Sequence, residues 1–174
     1  GFYEILKKQK AKIKLINIKK ENNEIRGDII AQSCKLKPMY TTSDFYSKTT
    51  DEYLLLFVLA GLTKGVSTFN NISQLQNKES SRAYEMKKIL EQIGIKCKLT
   101  KNVMKIYGKG PIDASSKKIN IKPLHDHRVA MCGFILATLT NAKTCIRGFD
   151  TVFSSFPSFL KIIKHMGGKY EIKK

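Results

Sequence analysis

The sequence predicts an α/β fold in which one supersecondary unit is used three times, with sheets and outer helices wrapped around a helical interior. Three observations lead there. First, ILKKQKAKIKLI from Ile5, ILEQIGIKCKLT from Ile89 and IIKHMGGKYEIK from Ile162 resemble one another; each reads as the end of an amphipathic helix, a turn and an alternating strand. Their equivalent positions Leu6, Leu90 and Ile163 are 84 and 73 residues apart, too long for a solenoid repeat. Second, GLTKGVSTFNNI from Gly61 matches TLTNAKTCIRGF from Thr138, each the end of an apolar helix, a turn and a strand. Third, LLLFVLAGL from Leu54 and VAMCGFILATL from Val129 are apolar all round, so both helices belong inside.

Taken in order, the chain opens at Gly1 in what reads as the middle of a helix, so it is expected to be a fragment with its first unit truncated. KIKLI and ENNEIRGDIIAQ follow as a hairpin. The next unit runs strand, apolar helix from Leu54, strand, amphipathic helix near Ala83–Ile93, then a second hairpin. In that hairpin Ile95, Cys97 and Leu99 alternate with Lys96, Lys98 and Thr100, and a strand at Met104–Tyr107 returns. The third unit repeats the order, with its outer helix near Phe159–Met166. The whole is a βαβαββ pattern. At 174 residues there is enough chain for one domain with a sizeable core.

A net charge of +18, from 32 Lys and Arg against 14 Asp and Glu, raises nucleic acid, membrane surfaces and small anions as partners. The cations are almost all lysine and are scattered, which favours a solvated surface; neither nucleic acid nor membrane is expected as a partner. A basic nucleic-acid-binding module is the alternative, and would require a contiguous lysine face. No apolar run reaches membrane-spanning length and no signal peptide is visible. Cys34, Cys97, Cys132 and Cys145 lack any CxxC spacing and read as free thiols in a reducing compartment.

The polar motifs fall at helix starts. TTDEY (Thr49 to Tyr53) and HDHR (His125 to Arg128) precede the apolar helices, with Asp51 and Arg128 in equivalent positions. NKESSR (Asn77 to Arg82) and VFSSFP (Val152 to Pro157) precede the outer helices. Strand–helix connections of one hand would bring all four to one end of the domain. Helix N-termini offer unpaired N–H groups and partial positive charge, and arginine grips carboxylate or phosphate with two prongs. Two of the four arginines, Arg82 and Arg128, sit at such starts, so an anion is expected there. Each motif also has a plainer reading. Asp126 serves as an N-cap, His127 packs or caps, and Glu79 pairs with Arg82 at i,i+3. In SSFPSF a serine caps and Pro157 enters the first helical turn.

These segments resemble motifs of the enolpyruvyl transferases. KESSR is similar to the family's K-E-[ST]-D-R, DHRVAM to D-H-R-[IVM]-A-M, SSFPSF to [KS]-[ST]-[FY]-P-x-F, and TTDEYLLL to I-D-E-[FL]-P-[LM]-L, in the family's order and over nearly the whole chain. KE[ST]DR followed by DHR favours the branch that uses shikimate-3-phosphate over the UDP-N-acetylglucosamine branch, which stands as the other family reading.

The resemblance implies an inside-out α/β lobe of βαβαββ repeats. Residues 1–174 would be a single C-terminal lobe with its first repeat incomplete and the N-terminal lobe absent. It implies transfer of the enolpyruvyl group of phosphoenolpyruvate to the 5-hydroxyl of shikimate-3-phosphate, with release of phosphate, in chorismate and aromatic amino acid biosynthesis. No metal or organic cofactor is implied. The complete enzyme would be a cytoplasmic monomer, and this chain alone, lacking half its cleft, would be inactive. By motif position, Asp51 takes the proton from the hydroxyl and Glu79 exchanges one with the phosphoenolpyruvate carbon. Arg82 and Arg128 hold phosphoenolpyruvate, and Lys78 contacts shikimate-3-phosphate. Three departures from the family pattern matter: Ser81 replaces the usual aspartate beside Arg82, Tyr53 stands where the family commonly has proline, and Ser154 stands where some members carry a lysine.

Overall fold

The computed structural model describes residues 1–122 and 125–173. Helix α1 (Phe2–Lys8) leads into an antiparallel hairpin, β1 (Lys12–Glu21) and β2 (Glu24–Gln32). Asn22 and Asn23 form its two-residue loop at φ 48° and 63°, as a type I′ turn requires. The middle unit then follows the expected order. It consists of β3 (Tyr40–Thr41), α2 (Tyr53–Gly61), β4 (Gly65–Asn70), α3 (Arg82–Gln92), β5 (Lys96–Leu99) and β6 (Val103–Gly108). Its strands form one sheet in the order β3-β4-β6-β5, the first pair parallel and the others antiparallel. The third unit has β7 (Lys118–Ile121), α4 (His127–Thr140), a parallel partner strand β8 (Lys143–Ile146), and two short helices, α5 (Thr151–Ser155) and α6 (Phe159–His165).

Helices α2, α3 and α4 pack against one another pairwise, with α2 also against β6 and α3 against β5 and β7. This is the helical interior that the two apolar stretches required. Leu54, Leu56 and Phe57 of α2 and Val129 and Leu136 of α4 have no exposed surface. Close approach is built in: a Cβ on Gly133 of α4 would collide with the Ile121 side chain of β7.

The internal repeat is written into the backbone three times. After α3, Gly94 takes φ 82°; its N–H bonds the Glu91 carbonyl, and the N–H of Ile95 bonds that of Leu90. After α1, Lys10 at φ 60° does the same, with Lys10 N–H to Lys7 and Ala11 N–H to Leu6. After α6, Gly167 at φ 90° bonds Lys164, and Gly168 bonds Ile163. All three are Schellman endings. The carbonyls that accept from the amide five residues on are those of Leu6, Leu90 and Ile163, the equivalent positions of the sequence alignment.

Two expectations fail. The strand expected after α6 does not form: residues 169–173 are irregular. The equivalent β5 is held by β6, whereas residues 169–173 pair with no strand among the described residues, and an alternating pattern without a partner leaves its backbone groups to solvent. The cap expected at SSFPSF also differs. Ser154 and Ser155 close the additional helix α5, and Pro157 lies in the turn before α6, whose N-cap Ser158 makes no side-chain cap bond.

Candidate functional site

Three of the four helix-start segments meet. Arg82, the first residue of α3, is buried with 2 % of its side chain exposed, and it is surrounded by three carboxylates. Its Nε donates to Asp126 Oδ2 at 2.8 Å, Nη2 to Glu79 Oε2 at 2.6 Å, and Nη1 to Asp51 Oδ1 at 3.3 Å. The second oxygen of Asp51 pairs with Arg128 Nη2 at 3.1 Å. Asp51 therefore bridges the two arginines. Burial pulls the Arg82 pKa down, but the hydrogen bond and charge of Asp126, followed by the charges of Glu79 and Asp51, more than reverse that and leave it above its ordinary value.

The structure thus brings together Asp51, Glu79, Arg82 and Arg128. Lys78, one residue before Glu79, is exposed and forms no ion pair among the described residues. Asp51 lies two residues before α2, and Arg128 is the second residue of α4. Their expected equivalence holds to within one helical turn. The fourth segment does not join: among the described residues no hydrogen bond or ion pair links Ser154 or its neighbours to the cluster, although α5 packs on α4. The i,i+3 pair of Glu79 with Arg82 is present, but as one arm of this larger network.

The start of α4 carries a correction. Its first free amides were expected to face a bound anion; instead the chain supplies its own. Asp126, with no exposed surface, caps the helix by accepting from the N–H groups of Arg128 at 3.0 Å and Val129 at 3.3 Å through Oδ1. Its Oδ2 takes the Ser80 hydroxyl at 2.9 Å as well as Arg82. The anion-binding capacity left at α4 lies in the Arg128 side chain, which is about one third exposed.

The N-cap role of Asp126 was readable from sequence, but its hold on Arg82 and Ser80 was not. Nothing in the spacing announces an ion pair between positions 82 and 126. Also unannounced is Tyr46, in the short 3-10 turn before α2. Its buried hydroxyl has no well-aligned hydrogen-bond partner. Burial pushes its pKa up, and it feels the charges of Arg82 and Asp51.

Chemically, the cluster offers two guanidiniums to an anion and sets two partly exposed carboxylates beside them. The side chains of Asp51 and Glu79 are 46 % and 53 % exposed. Three carboxylates against two guanidiniums leave one formal negative charge in surplus. A dianion would be accepted only if Asp51 or Glu79 gave up its arginine, or if further cations arrived. Among the described residues no group of three or more His, Cys, Asp or Glu could hold a metal ion, and no helix is long and apolar enough to cross a membrane.

A βαβαββ unit flanked by two partial ones, with arginines and carboxylates gathered at the starts of its helices, belongs to the enolpyruvyl transferase class of folds. The solved EPSP synthase from Acinetobacter baumannii superposes with a TM-score of 0.87 at 32% identity, over 99% of this chain and 40% of that one. The enolpyruvyl transferase NikO from Streptomyces tendae shares the fold, with a TM-score of 0.63 at 15% identity. The sequence profile of EPSP synthase (3-phosphoshikimate 1-carboxyvinyltransferase) matches residues 2–163, and the chain belongs to that family. The 3-phosphoshikimate 1-carboxyvinyltransferases of Clostridium tetani and of Ruthia magnifica are each 31% identical to it, over 94% and 96% of this chain. The chain spans 37% and 38% of their lengths.

Proposed function

We propose that residues 1–174 form most of the C-terminal lobe of a longer cytoplasmic enzyme of aromatic amino acid biosynthesis, with the first unit incomplete and an N-terminal lobe supplied elsewhere in the chain. The complete enzyme joins the enolpyruvyl group of phosphoenolpyruvate to the 5-hydroxyl of shikimate-3-phosphate and releases phosphate. The observation that carries this reading is Asp51 held between Arg82 and Arg128, with Glu79 on the same guanidinium.

An anionic substrate that takes the Nη donors of Arg82 and Arg128 displaces Asp51 and Glu79 and leaves them beside the reacting atoms. Asp51 accepts the hydroxyl proton as the oxygen attacks C2 of phosphoenolpyruvate, and Glu79 delivers a proton to C3. The tetrahedral intermediate then collapses: Glu79 takes a proton back from the C3 methyl, the C2–C3 double bond re-forms, the C2–O bond to phosphate breaks, and the proton held by Asp51 leaves with the phosphate. The arginines stabilise the phosphate and carboxylate charges throughout. Lys78, exposed on the same loop, contacts shikimate-3-phosphate. The surplus negative charge of the cluster argues that this chain alone does not retain a dianion. The missing lobe would contribute the remaining cations.

The test is phosphate release by the complete enzyme. Asp51→Ala should lower kcat about a hundredfold or more, the lower end of what a positioned base contributes. Arg128→Ala should raise the KM for phosphoenolpyruvate about ten- to hundredfold, the worth of one charge-assisted contact. Near-normal turnover in the first variant removes Asp51 as base; an unchanged KM in the second removes Arg128 from the substrate.

A further inference from the structure

Of the three carboxylates around Arg82, two are about half exposed and are those the proposed reaction must free. The third, Asp126, is completely buried and fully committed. Its two oxygens accept from four donors: the amides of Arg128 and Val129, the Ser80 hydroxyl and Arg82 Nε. It cannot swing aside without orphaning several of them, each at the cost of a buried unsatisfied group. Asp51 and Glu79 hold Arg82 only by its Nη atoms, the prongs that a substrate would take. When they let go, the Nε edge still has a partner.

We propose that Asp126 is a positioning residue. It fixes the orientation of the Arg82 fork and ties it to the start of α4, so that Arg82 and Arg128 present their free donors to one anion at a set separation. The carboxylate does this because it belongs to both structures at once: through Oδ1 it is the cap of the helix that carries Arg128, and through Oδ2 it is the seat of Arg82. Ser80, two residues before Arg82, closes the arrangement from the other side by donating to the same Oδ2. The inference rests on the reading above, in which Arg82 and Arg128 hold phosphoenolpyruvate.

The experiment uses the complete enzyme with Asp126→Asn, Ser80→Ala and Arg82→Ala, and steady-state kinetics in both substrates. Asp126→Asn keeps the side-chain size but loses the charge on the Arg82 side. It should raise the KM for phosphoenolpyruvate about ten- to hundredfold, with the KM for shikimate-3-phosphate moving less than about threefold and kcat at saturation largely kept. A merely structural loss would instead reduce the amount of active enzyme, and so lower kcat with both KM values unmoved; that result overturns the proposal. Ser80→Ala retains the carboxylate and disturbs the fold least. It should move the same KM in the same direction by about three- to tenfold, and it decides the matter if Asp126→Asn does not fold. Arg82→Ala separates the two levels of the argument. If it raises the phosphoenolpyruvate KM while Asp126→Asn and Ser80→Ala do not, the positioning role falls and the site stands. If none of the three moves that KM, or if the unaltered enzyme releases no phosphate, the functional reading falls and this inference goes with it.

Discussion

The middle unit, residues 40–108, and the third unit, residues 118–165, begin with the same order of elements and then diverge in how their inner helices are covered. Helix α2 is enclosed almost all round: seven of its nine residues are buried. Helix α4, apolar from Val129 but opening on His127 and Arg128, buries only six of its fourteen, and Leu139 on its far side is 53% exposed. The difference lies in the strands. The middle unit closes with β5 and β6 and builds four strands beside α2; the third has only β7 and β8. Apolar patterning marks both helices as interior, but it does not report how many neighbours each one finds.

The sharpest way to break this comparison is to hollow out both helices. Phe57 is fully buried, with its ring 4.9 Å from Phe69 and 6.1 Å from Tyr53. Phe57→Ala should cost about 3–5 kcal/mol, whereas Leu139→Ala in this chain should cost no more than about 0.5 kcal/mol. Urea unfolding of both variants checks it, and equal losses would mean that α4 is as enclosed as α2.

Nearly as large is the contrast between the two site arginines. Arg82 is sealed in with Asp126; Arg128 meets Asp51 with both side chains substantially in water. Arg82→Met leaves a buried carboxylate without its cation, at a cost of about 3–5 kcal/mol. Arg128→Met removes an exposed pair worth about 0–1 kcal/mol. Similar unfolding midpoints for the two would show that burial does not separate them. The loss of stability in the Arg82 variant also means that its kinetics have to be read beside its folded fraction.

This contrast marks how far the sequence could be read. The repeat, the two inner helices and both hairpins were legible, because each rests on local periodicity or on a turn that specific residues dictate. Arg82, Arg128 and Asp51 were legible from their places at helix starts, and Glu79 joined them through the resemblance to the enolpyruvyl transferases. What was not legible depended on contacts between distant segments: that Asp126 would claim the start of α4 and Arg82 together, that Tyr46 would lie near the charges, and that VFSSFP would remain apart from the cluster. The missing last strand belongs with these. Alternation at Lys169–Ile172 is a local signal, and a strand needs a partner that no local signal supplies.

A smaller effect tests whether the inner face of α4 is packed despite its open side. Cys97 in the middle unit and Cys132 in α4 are both 5 % exposed, and burial pushes each thiol from 9.0 up to about 12. A thiol held neutral in the folded state contributes stability that is complete below its ordinary range and drains away as pH rises from 9 towards 12. Each should remove at most about 1.4 kcal/mol per pH unit in that window. At pH 8 an alkylating reagent should label exposed Cys145 quickly and reach Cys97 and Cys132 only on unfolding. Rapid labelling of Cys132 alone would show that α4 is loose where the middle unit, sampled at Cys97 of β5, is not.

The smallest effect concerns the turn that the units share. The αL position of the Schellman ending is glycine at 94 and 167 but lysine at 10. A side chain in that conformation costs about 1–2 kcal/mol, and glycine returns about 0.5–1 kcal/mol of the difference through its greater freedom in the unfolded chain. Lys10→Gly should therefore stabilise by a few tenths to about 1 kcal/mol, and Gly94→Ala should destabilise by a similar amount. A Cβ at Gly94 would meet only the end of the flexible Lys109 side chain, at 3.3 Å, so the penalty there is conformational and not steric. Lys10→Asn refines the test, since asparagine tolerates αL without glycine's entropy. If thermal unfolding shows both variants at position 10 to be neutral while Gly94→Ala is costly, the first ending frays in solution, and the likeness of the three turns stops short of their energetics.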